Sequence, residues 1–171
     1  MELPGAGYLS ALATVSITFA AFSALVLIFR QAMGGALTRY ESYFVLSFIL
    51  AGFIVTAGSL LPSVLALYGL SSLIVWRVSS LIMAVPVLAF VVTLPRRRRA
   101  AGHHRVPRYV WILLFVQLGI VSYLVMNAIG TPFETGPGPY AAAMTGLLFS
   151  SGIAYVMALA AALVEPPKRP P

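Results

Sequence analysis

Arg77 is the one charged side chain set well inside an apolar stretch of this 171-residue chain, so it is the first residue to ask for chemistry. A guanidinium is a permanent cation with five N–H donors. Inside an apolar run it either snorkels to an interface or holds an anion, a lipid headgroup or the polar end of a solute. With a helix starting near Ser72, Arg77 lies roughly 8 Å below its end, at about 1.5 Å per residue. Ser79, Ser80, Asn127 and Glu134 are its candidate partners. Gln117, near the middle of another apolar run, is a buried amide that must find a partner. Thr56 and Ser59, with Thr14 and Thr18, are the hydroxyls that could line a polar path beside it.

These residue types bind and hydrogen-bond, but they do not form a catalytic set. The chain has no aspartate and no cysteine, and its only histidines are the adjacent His103 and His104. A serine hydroxyl without a general base is a poor nucleophile. No histidine lies in an apolar run to ligate a haem, and Lys168 is the only lysine for a Schiff base. The expectation is therefore no catalytic residue, no enzyme activity, no cofactor and no metal site.

The elements that must position these residues are five apolar runs. Sixty per cent of the chain is apolar and nine per cent charged, against about a quarter charged in soluble domains. The runs predict an all-α membrane bundle with transmembrane helices over about 8–29, 39–65, 72–94, 109–129 and 140–164. They form a single domain, followed by a flexible Pro-rich tail at 165–171. The first run is too long for a signal-peptide core and follows no basic segment, so it is expected to be retained as a helix. Ten of the eleven basic residues fall in alternate gaps. Arg30 and Arg39 follow the first run, Arg96, Arg97, Arg98, Arg99, Arg105 and Arg108 the third, and Lys168 and Arg169 the fifth. The positive-inside rule then puts the N-terminus outside and the C-terminus in the cytoplasm. Tyr8, Tyr68, Trp76 and Tyr140 are expected at the outer interface, and Tyr40, Tyr43, Tyr109 and Trp111 at the inner one.

Local signals refine the helix ends. Gly34 and Gly35 permit a reversal, and Thr38 with Glu41 makes a capping box for a helix starting near Arg39. Pro62 should kink the second helix, and Pro86 lies inside the third. Pro95 is expected to stop the third helix, and Pro107 suits the first turn of the fourth. The segment TPFETGPGPY is expected to be a compact, irregular cap. In the fifth helix Ala142, Gly146, Ser150, Ala154, Ala158 and Ala162 are small at every fourth position, which allows close approach of another helix backbone.

The net charge of +7 follows topology, which argues against nucleic acid as a partner. The basic loop at 95–108 is expected to bind anionic lipid headgroups through Arg96, Arg97, Arg98, Arg99, Arg105 and Arg108. The arginine bias and the lack of eukaryotic sorting signals point to a bacterial inner membrane. The expected role is an accessory or assembly subunit that packs with other membrane helices as a homo- or hetero-oligomer. The alternative is a small homo-oligomeric channel or transporter for a polar or anionic solute. Because the chain lacks cysteine, introduced cysteines report topology without background. Tyr68→Cys should react with a membrane-impermeant maleimide in intact cells, and His103→Cys only after permeabilisation. Equal reactivity of the two would refute the predicted orientation.

Overall fold

The computed structural model describes residues 3–32, 39–100, 108–131 and 134–164; within these the side chains of 27, 30, 39–41, 43, 44, 98–100, 108, 109 and 158–164 are not described. It is all-helical, with α1 (Ala6–Ala32), α2 (Arg39–Ala66), α3 (Ser72–Ala100), α4 (Arg108–Ile129) and α5 (Pro137–Val164). Each contains an apolar stretch of 20–26 residues, long enough to span a membrane, since about 20 residues cross a hydrocarbon core of about 30 Å. The partition of side chains fits that setting. Leu46, Phe115 and Phe149 are about two-thirds exposed, whereas Ser16, Ser79, Ser80, Gln117 and Asn127 are buried. Apolar groups face outward and polar groups inward, as expected where the solvent is hydrocarbon.

The helices α2, α3, α4 and α5 close a ring in which each packs on its two neighbours; α1 lies outside it, chiefly against α2 and touching α5. One end of the bundle carries the short α2–α3 turn, the α4–α5 loop and the start of α1, and is called the hairpin end below. The central core draws on every helix, with Leu9 and Leu12, Val55, Trp76 and Met83, Leu124, and Tyr140 and Met144 among its members. A smaller cluster of Val91, Val110 and Leu114 joins α3 and α4 towards the other end. There Tyr155 of α5 meets Phe19 of α1 edge-on at 5.6 Å and Phe48 of α2 at 5.0 Å.

The closest backbone approach described is between α1 and α2. A Cβ built on Gly52 would stand 2.8 Å from the Ala20 Cβ and 3.1 Å from the Ser16 carbonyl oxygen. One turn on, the Ser16 and Thr56 hydroxyls bond each other at 2.7 Å. Small residues thus bring the two backbones together, and a hydroxyl pair fixes their register. The row on α5 serves differently. Gly146 faces the Ile120 side chain of α4 at ordinary contact distance, with its nearest atom 3.4 Å from an added Cβ. Ser150 is buried, Ala142 is exposed and Ala154 is half-buried. The row therefore winds around the helix, because four residues overshoot one turn of 3.6. The side chains of Ala158 and Ala162 lie outside the described residues.

Three sequence expectations are corrected. Pro95 does not stop α3, which runs on to Ala100 with Pro86 and Pro95 both inside it. Proline removes one N–H and crowds the preceding turn, but arginine is a good helix former and carries the helix onward. The α4–α5 segment is less irregular than expected, because α5 starts at Pro137, where a missing N–H costs a first helical turn nothing. Trp76 and Tyr140 do not face outward as interfacial anchors would. They are 1% and 0% exposed, while Tyr8, Tyr68 and Trp111 are exposed. The capping residue Thr38 and the loop at 101–107, which includes Arg105 and Pro107, lie outside the described residues.

The seam predicts a contrast between two glycines. Gly52→Val should destabilise the protein by about 1–3 kcal/mol, as overpacking does, and lower its melting temperature in detergent. Gly119→Ala, with nothing within 4 Å of the added Cβ, should be neutral or slightly stabilising. Equal behaviour of the two variants would contradict the seam.

Candidate functional site

The polar residues singled out in the sequence gather in the hairpin half of the bundle. Arg77 lies in the second turn of α3 and is exposed. A Cβ on Gly130 would stand 3.5 Å from Arg77 Nη2 and 3.2 Å from Thr135 Oγ1. Gly130 ends α4 with φ +83°, a conformation that glycine adopts without strain. Its N–H donates to the Met126 carbonyl at 2.8 Å, and the Thr131 N–H donates to the same oxygen at 3.3 Å. The guanidinium therefore lies at the carbonyl end of α4, where the helix dipole favours a cation.

Asn127, a candidate partner of Arg77, turns elsewhere. It is 1% exposed. Its Nδ2 donates to Ser80 Oγ at 2.8 Å, and its Oδ1 accepts from the Gly136 N–H at 3.0 Å. The backbone N–H of Gly136 must meet an acceptor, which fixes the amide orientation. Thr135 Oγ1 also donates to the Asn127 carbonyl at 2.8 Å. One asparagine thus ties α3 to α4 and both to the segment that starts α5. Glu134 is exposed in the intervening loop.

The central arrangement joins Pro62, Gly58 and Tyr140. In a regular helix the N–H of residue 62 would donate to the carbonyl of Gly58, but proline has none. That carbonyl accepts instead from the Tyr140 hydroxyl at 2.6 Å. In an apolar interior an unsatisfied carbonyl is costly, and the phenol removes that cost from another helix. Gly58 also makes room for the contact. A Cβ there would meet Met83 Cε at 2.7 Å and Met144 Sδ at 2.8 Å, so α3 and α5 both rest on its bare backbone. The Tyr140 ring packs against Trp76 with centroids 5.7 Å apart.

The other candidates do not converge. Thr56 bonds Ser16 and also back-donates to the Gly52 carbonyl at 2.8 Å. Among the described residues the buried Ser59 Oγ has no hydrogen-bond partner, and neither have Ser79 Oγ and Trp76 Nε1. Gln117 is buried in α4, 7% exposed. Arg96 and Arg97 are exposed in the last turns of α3. The side chains of Arg98, Arg99 and Arg108 lie outside the described residues. Among the described residues no three of His, Cys, Asp and Glu come together as a metal site would require. What the arrangement offers chemically is hydrogen bonding between helices. No protein-family model matches the chain, and neither a curated relative nor a solved structure matches it.

Sequence reasoning missed the Tyr140 contact, although a signal was present. Pro62 frees the carbonyl four residues before it, and that residue is a glycine, open to approach from outside the helix. The contact predicts an unusual double-mutant result. Tyr140→Phe alone should destabilise the protein by about 1 kcal/mol, the usual scale for one hydrogen bond. Pro62→Ala restores an N–H four residues after Gly58, so in that background Tyr140→Phe should cost much less. Additive losses in melts of the four proteins would break the link between Pro62 and Tyr140.

Proposed function

We propose that this protein is a non-enzymatic subunit of a bacterial inner-membrane assembly that binds another membrane helix through α1. In this reading the N-terminus faces outward and the C-terminus lies in the cytoplasm, following the arginine distribution. Arg96 to Arg99, with Arg105 and Arg108, rest against anionic headgroups. The observation that carries the reading is the free face of α1. Gly7, Ser10, Ala11, Thr14, Thr18 and Ala21 are all exposed there. Thr14 and Thr18 donate to carbonyls within their own helix at 3.1 and 2.8 Å, and their oxygens keep lone pairs that can accept. Small and hydroxyl residues at three- and four-residue spacing suit close packing against a second helix. The rest of the surface is mostly bulky and apolar, the usual covering for lipid. This moves the expected interface from α5, whose small row is partly used within the bundle, to α1.

The channel alternative draws less support. Thr56 and Ser16 spend their hydroxyls on each other, and Arg77 sits at the end of the bundle against α4. Site-specific photo-crosslinking from Thr14 in native membranes tests both readings. The accessory reading expects one discrete adduct with a different integral protein, lost in a Thr18→Leu background that leaves the melting temperature unchanged. Adducts only between copies of this chain would favour the homo-oligomeric channel. Adducts with lipid alone would defeat both.

A further inference from the structure

We propose that Trp76, Ser79 and Tyr140 together hold one internal water molecule in the hairpin half of the bundle. Trp76 is 1% exposed and Ser79 0%. Neither the indole Nε1 nor the Ser79 Oγ has a hydrogen-bond partner among the described residues. The two stand three residues apart on the buried face of α3, the spacing at which helical side chains are neighbours. An indole N–H can only donate, so it needs an acceptor. Nearby polar groups are already committed. Ser80 accepts from Asn127, and Tyr140 donates its only hydroxyl hydrogen to Gly58. The phenol oxygen nevertheless keeps lone pairs, and its ring lies against the Trp76 ring at 5.7 Å. Trp76 thus offers a donor, Tyr140 an acceptor, and Ser79 either.

A water molecule fits this set. It accepts from the indole, donates to the phenol oxygen and bonds Ser79 in whichever sense is left. Three bonds are typical of a buried water, and two of these partners, the indole and Ser79, have no other among the described residues. A larger guest is opposed by the packing below, because Met83, one turn beyond Ser79, already presses on the bare backbone of Gly58. An ion is opposed because none of the three groups carries a charge. Ser59 Oγ, the other unpartnered serine hydroxyl noted above, lies two turns from Gly52 and so on the side of α2 that faces α1. It belongs to a different contact.

The test uses the indole itself. Trp111 is the only other tryptophan, so Trp111→Phe leaves one indole N–H in a spectrum of the 15N-labelled protein in micelles. The expected result is a hydrogen-bonded Trp76 proton with a cross-relaxation peak at the water frequency. The peak should persist in Ser79→Ala, which keeps two of the three partners, and vanish in Ser79→Val, which fills the space. Its absence in the Trp111→Phe protein would overturn the proposal. So would its loss in Ser79→Ala, since that would mark exchange relayed through the serine hydroxyl. Should Ser79→Val fail to fold, the other two proteins still decide the matter.

Discussion

Pro62 takes one N–H out of α2 at a depth where no solvent can replace it. The carbonyl of Gly58 has to be satisfied from outside its own helix, and the Tyr140 hydroxyl does so. Much of the hairpin half follows from that demand. The phenol reaches a backbone oxygen only if α5 lies close to α2, and the bare Gly58 permits this by letting Met83 and Met144 settle where a side chain would stand. Tyr140 in turn is braced by Trp76 from α3. Three helices thus meet at one peptide group. Methionine suits such a place because its unbranched side chain fills irregular gaps. The geometry also explains why a tyrosine so near the end of an apolar helix is wholly buried.

The same rule organises the rest of the polar inventory. In a lipid setting, which the five apolar helices suit, helices gain nothing from hiding apolar surface from one another, so packing and interhelical hydrogen bonds would hold them. Asn127 joins α3, α4 and the start of α5 through its side chain and its carbonyl. Ser16 and Thr56 join α1 to α2 where glycine brings the backbones close. Each such bond is individually modest, on the order of 0.6 kcal/mol where measured in one membrane protein. Their value is directional. An apolar seam can slide by a turn, whereas a hydroxyl pair or an amide with two fixed partners cannot. Arg77 fits this account as a positioning charge, its guanidinium set at the carbonyl terminus of α4.

The number, order and approximate limits of the helices were legible in the sequence because each run is long, apolar and bounded by glycine, proline or arginine. Ends were legible where a local rule had no competitor, as at Arg39 and Ser72. They were misread at Pro95, where four arginines with high helix propensity outweigh one proline. They were misread again at Pro137, where proline begins a helix rather than blocking one. Small-residue spacing was ambiguous for a physical reason. It reports that a backbone could be approached, not which neighbour approaches it, and α1 with α2 holds the tighter seam. The aromatic rule failed at Trp76 and Tyr140 because position along a helix gives depth but not facing. The candidate site was legible only as an inventory of polar residues. Their pairing depends on which helices are neighbours, and no local pattern encodes that.

The helix α1 differs from the other four in what it presents outward. In the ring formed by α2 to α5, Asn127, Ser80 and Tyr140 are drawn into bonds between helices, and bulky apolar side chains are turned outward. On α1 the inward side obeys the same logic through Ser16 and Leu9, and Val15, Ile17 and Phe22 point outward, but they flank a strip that departs from it. Ser10, Thr14 and Thr18 are exposed there, and the two threonines donate to carbonyls of their own helix. Back-bonded hydroxyls are tolerable in hydrocarbon, so the face is not unstable. It is poor lipid surface all the same, because small residues leave shallow grooves that acyl chains fill less well than a second helix would. In the reading proposed above, this narrow ridge, flanked by the exposed Val15, Ile17 and Phe22, meets a protein neighbour rather than the bilayer.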